Sequence, residues 1–311
     1  MRRTAFFESI SPYGKLLLLF GLIILFAIFT AFGGLLIGTF YLDTDMIGLA
    51  SLLSNPEGEK IIGFTKFYQF INQLGIFILP VILYSYLVSI SSTEYLKINK
   101  KPLAISVLVA LIIVFTILPF LNYLSQINLE MKFPASLAGL ENWMIEKEEQ
   151  AKIITEAFLK TDSIFGLIVN IFIIALVPAF GEEFLFRGII LRLFKEIVKN
   201  VHLAVFISAF IFSLFHLQFF GFLPRLLLGM ILGYLFVYTK NLWVPIAFHF
   251  VNNAASVIVY YLYSNNLMNT SIEDFGSSDS TVYIIGSLLI SVWLVIILRQ
   301  RENYEVISES K

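Results

Sequence analysis

The chain has 311 residues, 58% of them hydrophobic and 14% charged, with a mean hydropathy of +0.86. Soluble domains carry about 25% charged residues, so a water-soluble globule could not hide this much apolar surface, whereas a bilayer can. A net charge of -1 gives no general attraction to nucleic acid, and the lack of cysteine excludes disulfides, iron–sulfur clusters and thiol catalysis.

Apolar runs long enough to cross the hydrocarbon core, which takes about 20 residues at 1.5 Å each, fall at 16–40, 68–89, 102–124, 163–181, 203–218, 222–238, 242–262 and 281–298. The expected fold is all-α: a polytopic membrane protein of about eight transmembrane helices around an inward-facing polar cavity. The first run is too long for the apolar core of a signal peptide and shows no clear cleavage site, so it reads as a retained span. No repeat or low-complexity stretch divides the chain, and 1–311 is treated as a single membrane domain.

Basic residues mark one set of loops: Arg2, Arg3 and Lys15, then Lys97, Lys100 and Lys101, then Arg192, Lys195 and Lys199, then Lys240, then Arg299 and Arg301. The intervening loops hold Asp43, Asp45 and Glu57, then Glu146, Glu148 and Glu149, then Glu273, Asp274 and Asp279. By the excess of Lys and Arg on cytoplasmic loops, a multi-pass protein of the plasma membrane with both termini in the cytoplasm is expected. Residues 131–162 form an extracytoplasmic amphipathic segment, with Trp143, Met144, Ile153, Ile154, Phe158 and Leu159 at helical spacing within 141–160. The fourth span continues through 183–199 as one long helix, with a bend expected near Pro178 and Gly181.

Ionisable side chains in a membrane helix cost about 2.5–3.5 kcal/mol each on insertion scales and usually act in a cavity. Three motifs contain them. In Glu182-Glu183-Phe184-Leu185-Phe186-Arg187, Glu183 and Arg187 are four apart and can pair, which leaves Glu182 without that partner. The second is Phe212-Ser213-Leu214-Phe215-His216, and the third His249-Phe250-Val251-Asn252-Asn253. The bland alternatives are a structural ion pair at a helix end and histidines that only bridge helices. Against them, only three histidines occur and two lie in spans; His202 falls in a turn and reads as solvated or interfacial. Glu182 precedes Asn200 by 18 residues and His216 follows it by 16, about 27 and about 24 Å along antiparallel helices. His249 and Asn253, 9 and 13 residues past Lys240, lie about 14 and about 20 Å along theirs, so one layer can hold all four groups. Arg225, at the outer end of the sixth span, either snorkels to the interface or lines the cavity and holds a substrate carbonyl or carboxylate.

These motifs, in this order, resemble the CPBP family of intramembrane proteases, which includes the type II CAAX prenyl endopeptidases and the bacteriocin-processing or immunity (Abi) proteins. The pattern Glu-Glu-x-x-x-Arg, Phe-x-x-x-His and His-x-x-x-Asn is met by Glu182, Glu183 and Arg187, by Phe212 and His216, and by His249 and Asn253. The resemblance covers roughly 163–260, the expected catalytic core. It implies an endopeptidase in which Glu182 and His216 activate a water while His249 and Asn253 hold the oxyanion. Glu183 with Arg187 would fix the helix and orient Glu182, with Phe212 in support. Members are often called metalloproteases; Glu182, His216 and His249 are plausible zinc ligands, and a metal-free glutamate mechanism is equally compatible. The implied partner is a peptide or membrane-protein segment near the cytoplasmic leaflet, lipidated or not. A non-catalytic immunity or scaffold protein is the first alternative and a proton-coupled transporter the second.

Overall fold

The structure, a computed structural model, describes residues 5–131, 133–272 and 274–309; Arg2, Arg3 and Glu273 of the charge pattern lie outside them. Every regular element among the described residues is helical. Among the described residues six helical runs are long and apolar enough to cross a membrane, and seven if a bent pair is one span. The count of about eight is therefore approximate, because α12 (Val201–Phe215) has only 15 residues, about 22 Å of rise.

Helix α1 (Pro12–Leu42) is capped by Ser11 and ends where Asp43 turns left-handed. The short α2 (Met46–Ser54) leads to α3 (Glu59–Gln73), which runs through a π turn at Leu74–Ile78 into α4 (Leu79–Val88). The second crossing is thus longer at its start than the apolar run suggested. After α5 (Ser92–Tyr95), the run expected at 102–124 is two helices, α6 (Ala104–Thr116) and α7 (Leu118–Glu130), bent by 46°. Pro119 lies at the bend; its ring nitrogen cannot donate back along the helix.

The amphipathic segment forms α8 (Ala138–Leu159), with Met144, Phe158 and Leu159 buried. The fourth crossing is one rod of 35 residues, Ile164–Val198. It comprises α9 (Ile164–Asn170), a π turn at Ile171–Leu176, α10 (Val177–Leu185), a π turn at Phe186–Ile190 and α11 (Leu191–Val198). The remaining helices are α13 (Phe222–Thr239), α14 (Trp243–Ser264) and α15 (Thr281–Glu309).

Two ends can be recognised by their cross-links. At the lysine-rich end, the Leu242 N–H donates to the Lys97 carbonyl (3.1 Å), Asn241 Nδ2 to Lys100 O (2.9 Å) and Trp243 Nε1 to Ile98 O (3.1 Å). At the opposite, acidic end, Asn265 Nδ2 donates to Thr161 O (3.0 Å), Asn128 Nδ2 to Phe219 O (3.0 Å) and Asn122 Nδ2 to Phe275 O (3.0 Å). Buried backbone carbonyls need a donor, and asparagine supplies one without introducing a charge.

Helices α12 and α13 pack closely because α13 offers Gly229 and Gly233, one turn apart. A Cβ on Gly229 would stand 2.9 Å from the Ala209 Cβ, and one on Gly233 2.9 Å from Val205 Cγ1. Small residues at this spacing let backbones approach in a membrane, where packing rather than the hydrophobic effect drives association. On the other side of the site, Gly181 lets α10 meet the π turn of the second crossing, with Phe77 Cβ 2.8 Å from where a Cβ would be.

Candidate active site

The charged residues of the fourth crossing sit on α10 and the π turn after it. Pro178 begins α10 and has no N–H, so the Ile174 carbonyl lacks its usual donor four residues on. Asn253 of α14 fills that place, with Nδ2 3.4 Å from Ile174 O. In the π turn at Phe186–Ile190 the Phe186 carbonyl accepts the Leu191 N–H and, in addition, Ser208 Oγ of α12 at 3.2 Å. Such turns shift the register of a helix face and recur at functional sites. Here they flank the segment that carries Glu182 and Glu183.

Arg187 is 1% exposed and Glu183 0%. Nη1 of Arg187 donates to Glu183 Oε1 at 2.7 Å, Nη2 donates to the Gly229 carbonyl at 3.0 Å, and the guanidinium lies 4.7 Å from the centre of the Phe212 ring. A buried ion pair offsets its desolvation only as far as its remaining hydrogen bonds are met; the Gly229 carbonyl of α13 meets one of them, while Arg187 Nε and Glu183 Oε2 are buried without a hydrogen-bond partner. Phe212 is the common wall: its ring centre is 4.9 Å from that of His216 and 6.1 Å from that of His249.

Glu183 has a second partner that the motif spacing did not show. His249 Nδ1 donates to Glu183 Oε1 at 2.8 Å. Glu183 therefore links Arg187 to the imidazole of α14, where the sequence suggested only a helix-fixing pair. His216 is held differently: its Nδ1 donates to the Phe212 carbonyl at 2.9 Å. In both rings Nδ1 is engaged by protein, and the pairing of one nitrogen sets the role of the other.

Both Nε2 atoms face Glu182. Its Oε2 is 4.0 Å from His216 Nε2 and 3.9 Å from His249 Nε2, and that oxygen is buried without a hydrogen-bond partner. Each imidazole Nε2 is too far from Glu182 Oε2 to bond directly, yet within 4.0 Å of it, a gap that a water spans at ordinary hydrogen-bond lengths of about 2.7–3.0 Å. A tetrahedral zinc ion with ligands at about 2.0–2.2 Å would require them about 3.4 Å apart. The donor types suit zinc, but the atoms as placed do not close around it, and among the described residues no group of three or more His, Cys, Asp or Glu is arranged to hold a metal ion.

The gap opens into a cavity of about 430 Å³. Glu182, His216 and His249 line it with Asn252 and Asn253, and Pro178, Phe212 and Phe248 supply apolar wall. Asn252 Nδ2 donates to Asn253 Oδ1 at 3.2 Å, so the two amides act as a pair. Asn252 was not singled out from the sequence, although it neighbours Asn253. Gln69, Thr155 and Ser256 also line the cavity and are exposed, so it reaches the surface between α3, α8 and α14. Arg225 lines it too rather than snorkelling away. His202 stands apart, on the exposed end of α12, with Nδ1 2.9 Å from the Tyr234 hydroxyl.

A multi-pass helical membrane protein is thus defined, with a carboxylate and two imidazoles from three helices facing one cavity. Residues 164–255 match the family described as Type II CAAX prenyl endopeptidase Rce1-like. The matched segment, less than a third of the chain, carries all three motifs and is similar to that family, which indicates a membrane protease, a hydrolase of peptide bonds. No curated protein and no solved structure matches the chain.

Proposed function

We propose that this protein cleaves a membrane-associated peptide with a water held between Glu182 and the two imidazoles. The observation that carries the reading is the unpartnered Glu182 Oε2, buried within 4.0 Å of two Nε2 atoms at a cavity wall. A buried carboxylate beside an imidazole acceptor is suited to general base work.

The two histidines divide the labour by what stands behind them. With its Nδ1 proton committed to the Phe212 carbonyl, His216 presents a lone pair at Nε2 and accepts from the water. His249 is backed by a carboxylate, so a ring protonated at both nitrogens keeps its bond to Glu183 and turns an N–H donor into the cavity. In the proposed sequence Glu182 takes one proton of the water and the oxygen adds to the peptide carbonyl. The negative oxygen that forms is held by His249 Nε2–H and an amide of the Asn252–Asn253 pair. Glu182 then returns its proton to the leaving nitrogen as the C–N bond breaks. Glu183 and Arg187 position His249, and Phe212 holds the rings apart from lipid.

Charge distribution supports a cytoplasmic location for the lysine-rich end, and with it for both termini, in a plasma membrane. The exposed lining residues Gln69 and Thr155 belong to elements nearer the acidic end. They favour a substrate that reaches the site from that side over one arriving at the cytoplasmic leaflet. Comparative proteomics of cells carrying wild-type protein or Glu182→Gln tests the function. The expected result is one membrane-associated peptide that accumulates uncut in the variant; identical peptide profiles at equal protein levels would refute it.

A further inference from the structure

The cavity holds a cation that the three motifs do not use. Arg225, in the first turn of α13, shares the lining with Glu182, His216 and His249. Its guanidinium folds over the loop that follows His216: Nη1 donates to Gln218 Oε1 at 3.3 Å and Nη2 to the Gln218 carbonyl. Gly221 leaves room for this, since a Cβ there would stand 2.8 Å from Nη1. The Nε of Arg225 is buried with no partner.

A buried N–H left unmet is costly, so the guanidinium of Arg225 is only partly used by Gln218. An arginine edge with a spare N–H is well suited to a carboxylate arriving from elsewhere.

We propose that Arg225 is a substrate-binding residue that recognises a carboxylate on the peptide near the bond to be cut. This rests on the proteolytic reading above and adds the substrate's charge class to it. A single negative charge fits better than a phosphate dianion, because Glu182 already places an acidic group in the cavity. The carboxylate is either the chain terminus or an acidic side chain.

The test uses full-length protein in detergent and a synthetic peptide library made in matched forms: C-terminal acid against C-terminal amide, and Asp against Asn. Binding is read by affinity selection on Glu182→Gln, alone and combined with each second variant, and cleavage by mass spectrometry on protein with Glu182 intact; thermal unfolding reports the fold. Acidic forms should be favoured by roughly 10- to 100-fold, as expected for a charge-assisted hydrogen bond. Arg225→Gln should erase that preference, and Arg225→Lys should keep part of it. A preference confined to acid over amide assigns the chain terminus, and one confined to Asp over Asn assigns a side chain.

Equal treatment of charged and neutral forms, no peptide binding, or a folded Arg225→Gln protein that keeps the preference would each overturn the proposal. If Arg225→Gln does not fold, Gly221→Ala, which crowds the guanidinium without removing its charge, must weaken the preference for the proposal to stand. Acid-selective binding without any cleavage would break the proteolytic reading and leave the carboxylate site in place.

Discussion

The lipid-facing helix α1 and the site helix α14 show how differently membrane helices can use apolar sequence. In α1 only 17% of the most apolar stretch is buried, and Phe29 and Phe40 are 74% and 86% exposed. In α14 the corresponding share is 44%, and it includes His249, bonded to a carboxylate of another crossing. Lipid asks of α1 only that its side chains be apolar. The site asks of α14 that particular atoms stand at particular distances. Substitutions should therefore be tolerated in the first and punished in the second, by amounts that follow from what each side chain touches.

The largest effect is expected at Glu182. Glu182→Gln keeps shape and removes the base, so peptide cleavage should fall by about 10²–10⁴-fold with little change in thermal unfolding. A variant that cuts at the normal rate would break the comparison at its centre. Next comes Arg187→Ala, which strands Glu183 and frees the Gly229 carbonyl. Loss of one partner of a buried pair costs about 3–5 kcal/mol, read as a lowered unfolding temperature in detergent together with lost activity. Gly229→Leu pushes against Ala209 across the α12–α13 contact, and overpacking of this kind costs about 1–3 kcal/mol; the same unfolding assay measures it. Phe29→Leu on the exposed face of α1 should shift stability by no more than about 0.5 kcal/mol, and a larger change would show that the Phe29 ring packs against more than lipid. Chelation sharpens the comparison in another way. With the two imidazole Nε2 atoms 3.9 and 4.0 Å from Glu182 Oε2, activity should survive removal of divalent metal ions, assayed by cleavage after dialysis against a chelator.

The sequence was most informative where chemistry and environment disagree. Glu182, Glu183, Arg187, His216 and His249 are conspicuous in apolar runs, and helical periodicity correctly pairs Glu183 with Arg187, which lie four apart. Periodicity describes one helix at a time, however, and the bond from Glu183 to His249 crosses between helices 66 positions apart. The capture of the Ile174 carbonyl by Asn253 was hidden for the same reason, although Pro178 announced that some carbonyl would need a donor. Lys66 lies within the second crossing, two residues before the apolar run of 68–89 begins. Its Nζ donates to the buried Asn170 Oδ1 at 2.7 Å, which is how a cation near a helix start is accommodated. The bend between α6 and α7 was legible in Pro119 but was absorbed into one apolar run.

The account depends on Glu182 and two imidazoles meeting around a water. A diffraction structure of the purified protein, with anomalous data collected at the zinc edge, tests this most directly. The prediction is a water oxygen within hydrogen-bond reach of Glu182 Oε2 and of the imidazole Nε2 atoms, with no anomalous peak between them. A Glu182 carboxyl turned toward lipid, or an anomalous peak that draws the three side chains into its coordination sphere, would contradict it.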